Sequence, residues 1–117
     1  MGISNKEIDT AHIRRISGEA MNNQEVIRTD NVLVRIMVLK EGASTEWHYH
    51  TEVTDFFVCL TGRILVEVRN PVGVYILHPG QRSEVAACQV HRVINAYKER
   101  SEYLLIQGVG RYDFNLG

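Results

Sequence analysis

His48 and His50 are separated by one residue inside a run, residues 42–62, that reads as strand, turn, strand. Alternate residues of a β-strand point to the same side of the sheet. Two imidazoles at this spacing converge, which is what a transition-metal ion needs. A site built on them takes a third histidine from further along the chain. The remaining elements read as a scaffold around the pair.

That scaffold has a β pattern. Residues 32–40 (VLVRIMVLK) are a mostly apolar, β-branched run, closed by Glu41-Gly42-Ala43-Ser44. Residues 47–50 are short and alternating, 51–54 read as a bend, and 55–60 (DFFVCL) as an apolar strand ended by Thr61-Gly62. Residues 63–69 alternate and lead through Asn70-Pro71-Val72-Gly73 into a return strand over 74–77, which predicts a hairpin. Short strands are expected over 83–86, 91–96 and 103–109, followed by an aromatic, glycine-rich tail. Roughly eight short strands with turn signals every 8–12 residues point to a sandwich or barrel. Residues 1–24 predict an N-terminal arm. Ser4 and Glu7 fit a capping box for a short helix, a loose arm with a strand is the alternative, and residues 21–24 read as a polar turn. Residues 25–117 are expected to form one β-barrel domain.

Composition narrows the function. A length of 117 residues suits one core, and an apolar fraction of 44% argues against extensive disorder. The net charge is −1 and the Lys and Arg residues are dispersed, which argues against a nucleic-acid or anionic-membrane surface. No apolar run approaches the roughly 20 residues of a membrane span, and the first residues lack the apolar core of a signal peptide. A soluble, cytoplasmic protein is expected, with Cys59 and Cys88 reduced and buried as small apolar side chains.

The spacing of these residues resembles a known family. Gly42, five residues, His48, one, His50, four, Asp55, six, Gly62 is similar to the first motif of the cupins, with Asp55 where the family has Glu. The second cupin motif is similar to Gly80, five residues, Ala86, one, Cys88, two, His91, three, Asn95, with Ala86 and Cys88 where the family has Pro and Gly. Leu77 and Pro79-Gly80 look like the turn before that motif, and the 17 residues between Gly62 and Gly80 look like a small single-domain bacterial cupin. The resemblance implies an all-β fold, a double-stranded β-helix or jelly-roll barrel, with a metal in its mouth.

It also implies the ligand set His48, His50, Asp55 and His91, holding one divalent transition metal: Fe, Mn, Ni, Co, Cu or Zn. Glu52 competes with Asp55, since it alternates on paper with the histidine pair, but the resemblance places a bend after His50. Asp55 is preferred on strand periodicity, and could act as a base if it left the metal. Asn95, on the strand face of His91, could order the site or a substrate, or be a hydrogen-bonded strand-end residue. Phe57, Ile64, Val66, Val93 and Ile106 are candidate pocket walls. Trp47 and Tyr49 fall on the face opposite the histidines, the side of Arg35 is open, and His78 and His12 read as lying outside the site.

Three functions are consistent with this reading. The first is a metal-dependent enzyme of oxygenase, isomerase or lyase type acting on a small organic molecule. The second is a non-catalytic module that binds or senses a small ligand at the same metal site. The third is a jelly roll whose metal is structural or adventitious. The resemblance further implies a homodimer paired through a sheet edge with swapped N-terminal strands.

Overall fold

Val32–Leu39 alternates strictly, turning Leu33, Arg35, Met37 and Leu39 inward and the residues between them outward. A β-branched run with one dry face is a strand that must pack on another sheet. In a computed structural model describing residues 21–117, such runs form ten strands. They are β1 (Met21–Arg28), β2 (Val32–Leu39), β3 (His48–Tyr49), β4 (Thr54–Thr61), β5 (Ile64–Val68), β6 (Gly73–Leu77), β7 (Arg82–Val85), β8 (His91–Asn95), β9 (Ser101–Gly108) and β10 (Asn115–Leu116). No helix occurs among the described residues. One sheet has the order β1-β2-β9-β4-β7 and the other β10-β3-β8-β5-β6, all pairs antiparallel. This is the expected jelly-roll barrel. Its core lies between the sheets, where Leu39, Phe57 and Tyr103 face Ile64, Val66 and Val93.

Several expectations are corrected. Residues 21–24, expected as a polar turn of the N-terminal arm, belong to β1, where Asn22, Asn23 and Gln24 pair with Val38, Met37 and Ile36. Their polar side chains did not prevent it, because the long β2 supplies a complete backbone partner. Residues 1–20, with the capping box and His12, lie outside the described residues. The tail contributes a strand, Asn115 opposite Tyr49 and Leu116 opposite His48. Ile106 is not a pocket wall: in β9 the inward parity belongs to Tyr103, Leu105 and Gln107. The pairing of Phe57 with Leu105 and of Asp55 with Gln107 sets that parity.

Asn95 proves to be a strand-end residue. Its Nδ2 donates to the carbonyls of Leu39, Lys40 and Glu99, and its Oδ1 accepts from the Ser101 hydroxyl at 2.7 Å. Gly62 completes this knot. It has a φ of +76°, and a Cβ there would lie 2.2 Å from Ser101 Oγ. Both cysteines are free, but only Cys59 is buried, and burial pushes its thiol pKa up. Cys88 is exposed in the β7–β8 loop with a φ of +70°, and its amide donates to the His50 carbonyl.

Candidate metal centre

His48 lies in β3 directly opposite His91 in β8, and His50 follows just past the end of β3. Asp55 enters from the other sheet, in β4, opposite Gln107. The two sheets thus bring four side chains to one end of the barrel, where their ligand atoms lie within 4.8 Å of one another. All four are buried.

The backbone fixes which imidazole nitrogens face inward. His48 Nδ1 donates to the Glu46 carbonyl at 2.6 Å, His50 Nδ1 to Asp113 at 2.6 Å and His91 Nδ1 to Gln89 at 2.8 Å. With each Nδ1 carrying a proton, the Nε2 of a neutral ring is a lone pair. His91 Nε2 lies 2.9 Å and His50 Nε2 3.1 Å from Asp55 Oδ2. An ionised carboxylate oxygen is also only an acceptor. Acceptors this close need a positive centre between them, either a proton on the ring or a cation. Ligand atoms held at right angles about 2.1 Å from one ion lie about 3 Å apart, so the observed spacing suits a divalent transition metal. The donor set therefore fits the metals the resemblance implies.

Electrostatics support the same arrangement. Burial pushes the Asp55 carboxyl pKa up, but the His50 and His91 contacts outweigh it and hold Asp55 well below the usual carboxylate range. Burial lowers His50, and the hydrogen bond and charge of Asp55 outweigh that and raise it. His48 is pushed down to about 4 by burial and by neighbouring His91, so it is neutral at physiological pH.

Asp55, not Glu52, joins the histidines. The chain bends at residues 51 and 52, and Glu52 is exposed, accepting from the Arg111 amide at 2.8 Å. The short arm of Asp55 suffices because β4 carries it inside the barrel. Gln107 fixes its second oxygen, donating from Nε2 to Oδ1 at 3.0 Å, while Gln107 Oε1 accepts from Arg35 Nη2 at 2.5 Å. A cavity of about 30 Å³ adjoins the cluster, lined in part by Arg35, Phe57, Val93, Tyr112 and Phe114. Ile64 and Val66, expected as pocket walls, are buried in the core and do not line it. Phe114 stacks on His48 at 4.6 Å and Tyr112 lies 5.3 Å from His50, both from the tail. Asp113 secures that tail, its carboxylate accepting from the amide and hydroxyl of Thr51. The sequence leaves the side of Arg35 open and does not mark Gln107, Tyr112 or Phe114 as site residues. Gln107 was recoverable as a polar residue at the parity of Tyr103 and Leu105, whereas nothing local marks the tail aromatics. Trp47 packs away from the cluster, with the Arg69 guanidinium 3.8 Å and that of Arg92 4.6 Å from its ring centre. His78 is exposed.

A barrel of two antiparallel sheets with three histidines and a carboxylate at one end defines a class, and the sequence comparison agrees. Residues 35–107 match the family model for the cupin domain, and the chain belongs to the cupin family. No curated protein matches it significantly. Among solved structures it is similar to an uncharacterised conserved Klebsiella pneumoniae protein with a double-stranded β-helix domain, at TM-score 0.75 and 20% identity over 100% of this chain and 97% of that one. It is similar to Peruvianin-I, a cysteine peptidase from Thevetia peruviana latex, at TM-score 0.74 and 16% identity over 84% of this chain and 67% of that one. It is also similar to a recombinant oxalate oxidase in complex with glycolate, at TM-score 0.73 and 14% identity over 83% of this chain. The match spans 55% of the oxidase chain. At these identities the likenesses show the fold alone. No helix among the described residues is long and apolar enough to cross a membrane.

Proposed function

We propose that this cupin binds one divalent transition metal through His48, His50, Asp55 and His91, and acts as a metal-dependent enzyme on a small organic molecule. The observation that carries the reading is the pinning of all three Nδ1 atoms, which leaves three Nε2 lone pairs converging near a carboxylate oxygen. A metal held there would supply Lewis-acid polarisation of a substrate oxygen, with redox chemistry added if it is iron, manganese or copper. The chain's own residues do the rest. Gln107 holds Asp55 in place, the backbone carbonyls fix the rings, and Phe114 and Tyr112 shield the site from water. Among the described residues Asp55 is the only carboxylate lining the cavity, so a carboxylate base for proton transfer would be Asp55, with a bound water or the Tyr112 hydroxyl as the other candidates.

The alternative is a non-catalytic module that binds or senses a small ligand. One observation favours it: among the lining residues no carboxylate or histidine lies outside the cluster to act as a separate acid or base. Metal analysis of protein purified without chelating resin tests the common premise. Near one metal per chain is expected in the wild type, with loss in His50→Ala. A wild type that takes up none of these metals on loading removes the ligand assignment. An O₂-uptake and substrate screen of the loaded protein separates enzyme from sensor.

A further inference from the structure

Gln107 bridges two buried charges of opposite sign. It is 1% exposed, in β9, opposite Asp55 of β4 and Leu33 of β2. Its Nε2 donates to Asp55 Oδ1 at 3.0 Å, and its Oε1 accepts from Arg35 Nη2. A carboxylate only accepts and a guanidinium only donates, so both neighbours demand the same one of the amide's two orientations. The same Nε2 has a second acceptor within reach, His50 Nε2 at 3.3 Å. An amide that moved wholly onto His50 would occupy the lone pair a metal needs and would release Asp55 Oδ1. Arg35 opposes that movement by holding Oε1. Arg35 is itself fixed: it is 8% exposed on the inner face of β2, with its guanidinium 5.2 Å from the Tyr112 ring centre. Stability does not explain its place. No carboxylate of the described residues forms an ion pair with it, and a buried charge so placed is costly.

We infer that Arg35 is a positioning residue of the metal centre: acting through Gln107, it keeps Asp55 to one oxygen, Oδ2, at the ion. This rests on the metal-centre reading and adds to it the side chains outside the ligand set that control the fourth ligand. The geometry agrees, since His50 Nε2 and His91 Nε2 both lie beside Oδ2, at 3.1 and 2.9 Å, while Oδ1 faces Gln107. A carboxylate can give a metal one oxygen or two, and the hydrogen bond to Oδ1 decides for one. A carboxylate confined to one oxygen leaves a further coordination position for substrate or water. The charge of Arg35 and its position act in opposite directions on metal binding. The charge repels a divalent ion, so losing the charge alone tightens binding, whereas losing the position loosens it.

Co(II) titration of the full chain, followed by visible absorption, reads affinity and coordination together. Gln107→Leu and Arg35→Met are each expected to weaken Co(II) binding by about tenfold or more and to change the Co(II) spectrum in the same way. Arg35→Lys keeps the charge but not the planar fork, and is expected to lose less. In the Gln107→Leu background, Arg35→Met is expected to tighten binding, because only the charge remains to be removed, and Arg35→Lys to have no effect. If Arg35→Met does not fold, Arg35→Lys in the two backgrounds decides: a loss confined to the protein that retains Gln107 supports the proposal, and no loss overturns it. Tighter binding in Arg35→Met alone, an unaltered Co(II) spectrum in Arg35→Met or Gln107→Leu, or the same loss from Arg35→Lys with and without Gln107 would also overturn it. A wild type that takes up no Co(II) overturns the metal-centre reading along with this one, whereas wild-type uptake with unaffected variants overturns this one alone.

Discussion

His48 and His50 sit two residues apart, and yet their surroundings displace their pKa values in opposite directions. His48 is pushed down to about 4, chiefly by burial, so in the metal-free protein it resists protonation that the unfolded chain accepts near the ordinary value of 6.5. The unfolded state then binds the extra proton, and stability falls as pH drops from 6.5 towards about 4. The limiting slope for one proton is about 1.4 kcal/mol per pH unit. His50 is raised, because Asp55 outweighs the burial that would lower it. Its contribution is complete below its unfolded pKa and is lost as pH rises through the raised folded value. Urea unfolding in the presence of chelator, across pH 4 to 8, is expected to show both limbs. His48→Gln should flatten the acid limb and His50→Gln the opposing one; an acid limb unchanged in His48→Gln would refute the assignment. A metal ion competes with the proton that Asp55 encourages on His50, so metal affinity is expected to weaken on acidification, by up to tenfold per unit for that single site. Metal titrations at pH 7 and pH 5.5 check this, and equal affinity at the two values would contradict it.

Two left-handed positions, Gly62 and Cys88, show what the local elements demand. Gly62 combines φ +76° with a Cβ position 2.2 Å from Ser101 Oγ, so Gly62→Ala is expected to cost about 2–4 kcal/mol by chemical denaturation. Cys88 has φ +70° in the loop leading to His91, at the position where the cupin pattern has glycine. Cys88→Gly relieves about 1–2 kcal/mol of backbone strain and loses about 0.5–1 kcal/mol to unfolded-state entropy. It should leave Tm unchanged or raise it by a few degrees, whereas the β-branched Cys88→Val should lower it. A marked loss of Tm in Cys88→Gly would show that the thiol is needed there. These positions also mark what could be read from sequence. The His48–His50 pair, the hairpin at residues 70–73 and the inward row Asp55, Phe57, Cys59 follow from period-two alternation and turn chemistry. The parity of β9 does not, because Leu104, Leu105 and Ile106 are all apolar and only the pairing with β4 decides which faces in. The closure of the site by Tyr112 and Phe114 depends on β10 pairing with β3 some 66 residues earlier, a contact with no local signature. Arg35 was visible as a charge in an apolar strand, but its side follows only from the pairing of β2 with β9.

At the scale of the whole molecule the two sheets leave edges among the described residues, and β6 is an apolar one. Val74, Tyr75 and Ile76 are 52%, 47% and 54% exposed, so both faces of this edge strand present apolar surface, extended by Val72 at 84%. Among the described residues β1 ends the other sheet; it also exposes Val26 and Ile27, at 53% each, but sets them among Gln24, Glu25 and Arg28, with an irregular register between Glu25 and Ile27 that blunts pairing. An apolar edge without such devices is a template for another strand, and contiguous exposed apolar surface marks an interaction site. We propose that the protein is a homodimer and that β6 edges pair across its twofold axis. Light scattering at micromolar concentration is then expected to give twice the chain mass of 13.4 kDa. Ile76→Lys should convert the dimer to a monomer, while Ile27→Lys on β1 should leave it intact. A monomeric wild type would contradict the dimer, and a dimer broken by Ile27→Lys but not by Ile76→Lys would move the interface to the N-terminal edge. Because β5 separates β6 from β8 and its His91, and none of the four ligands lies on β6, monomeric Ile76→Lys should still bind metal with the wild-type stoichiometry. Lost metal binding in that folded monomer would instead make the partner subunit necessary for the site.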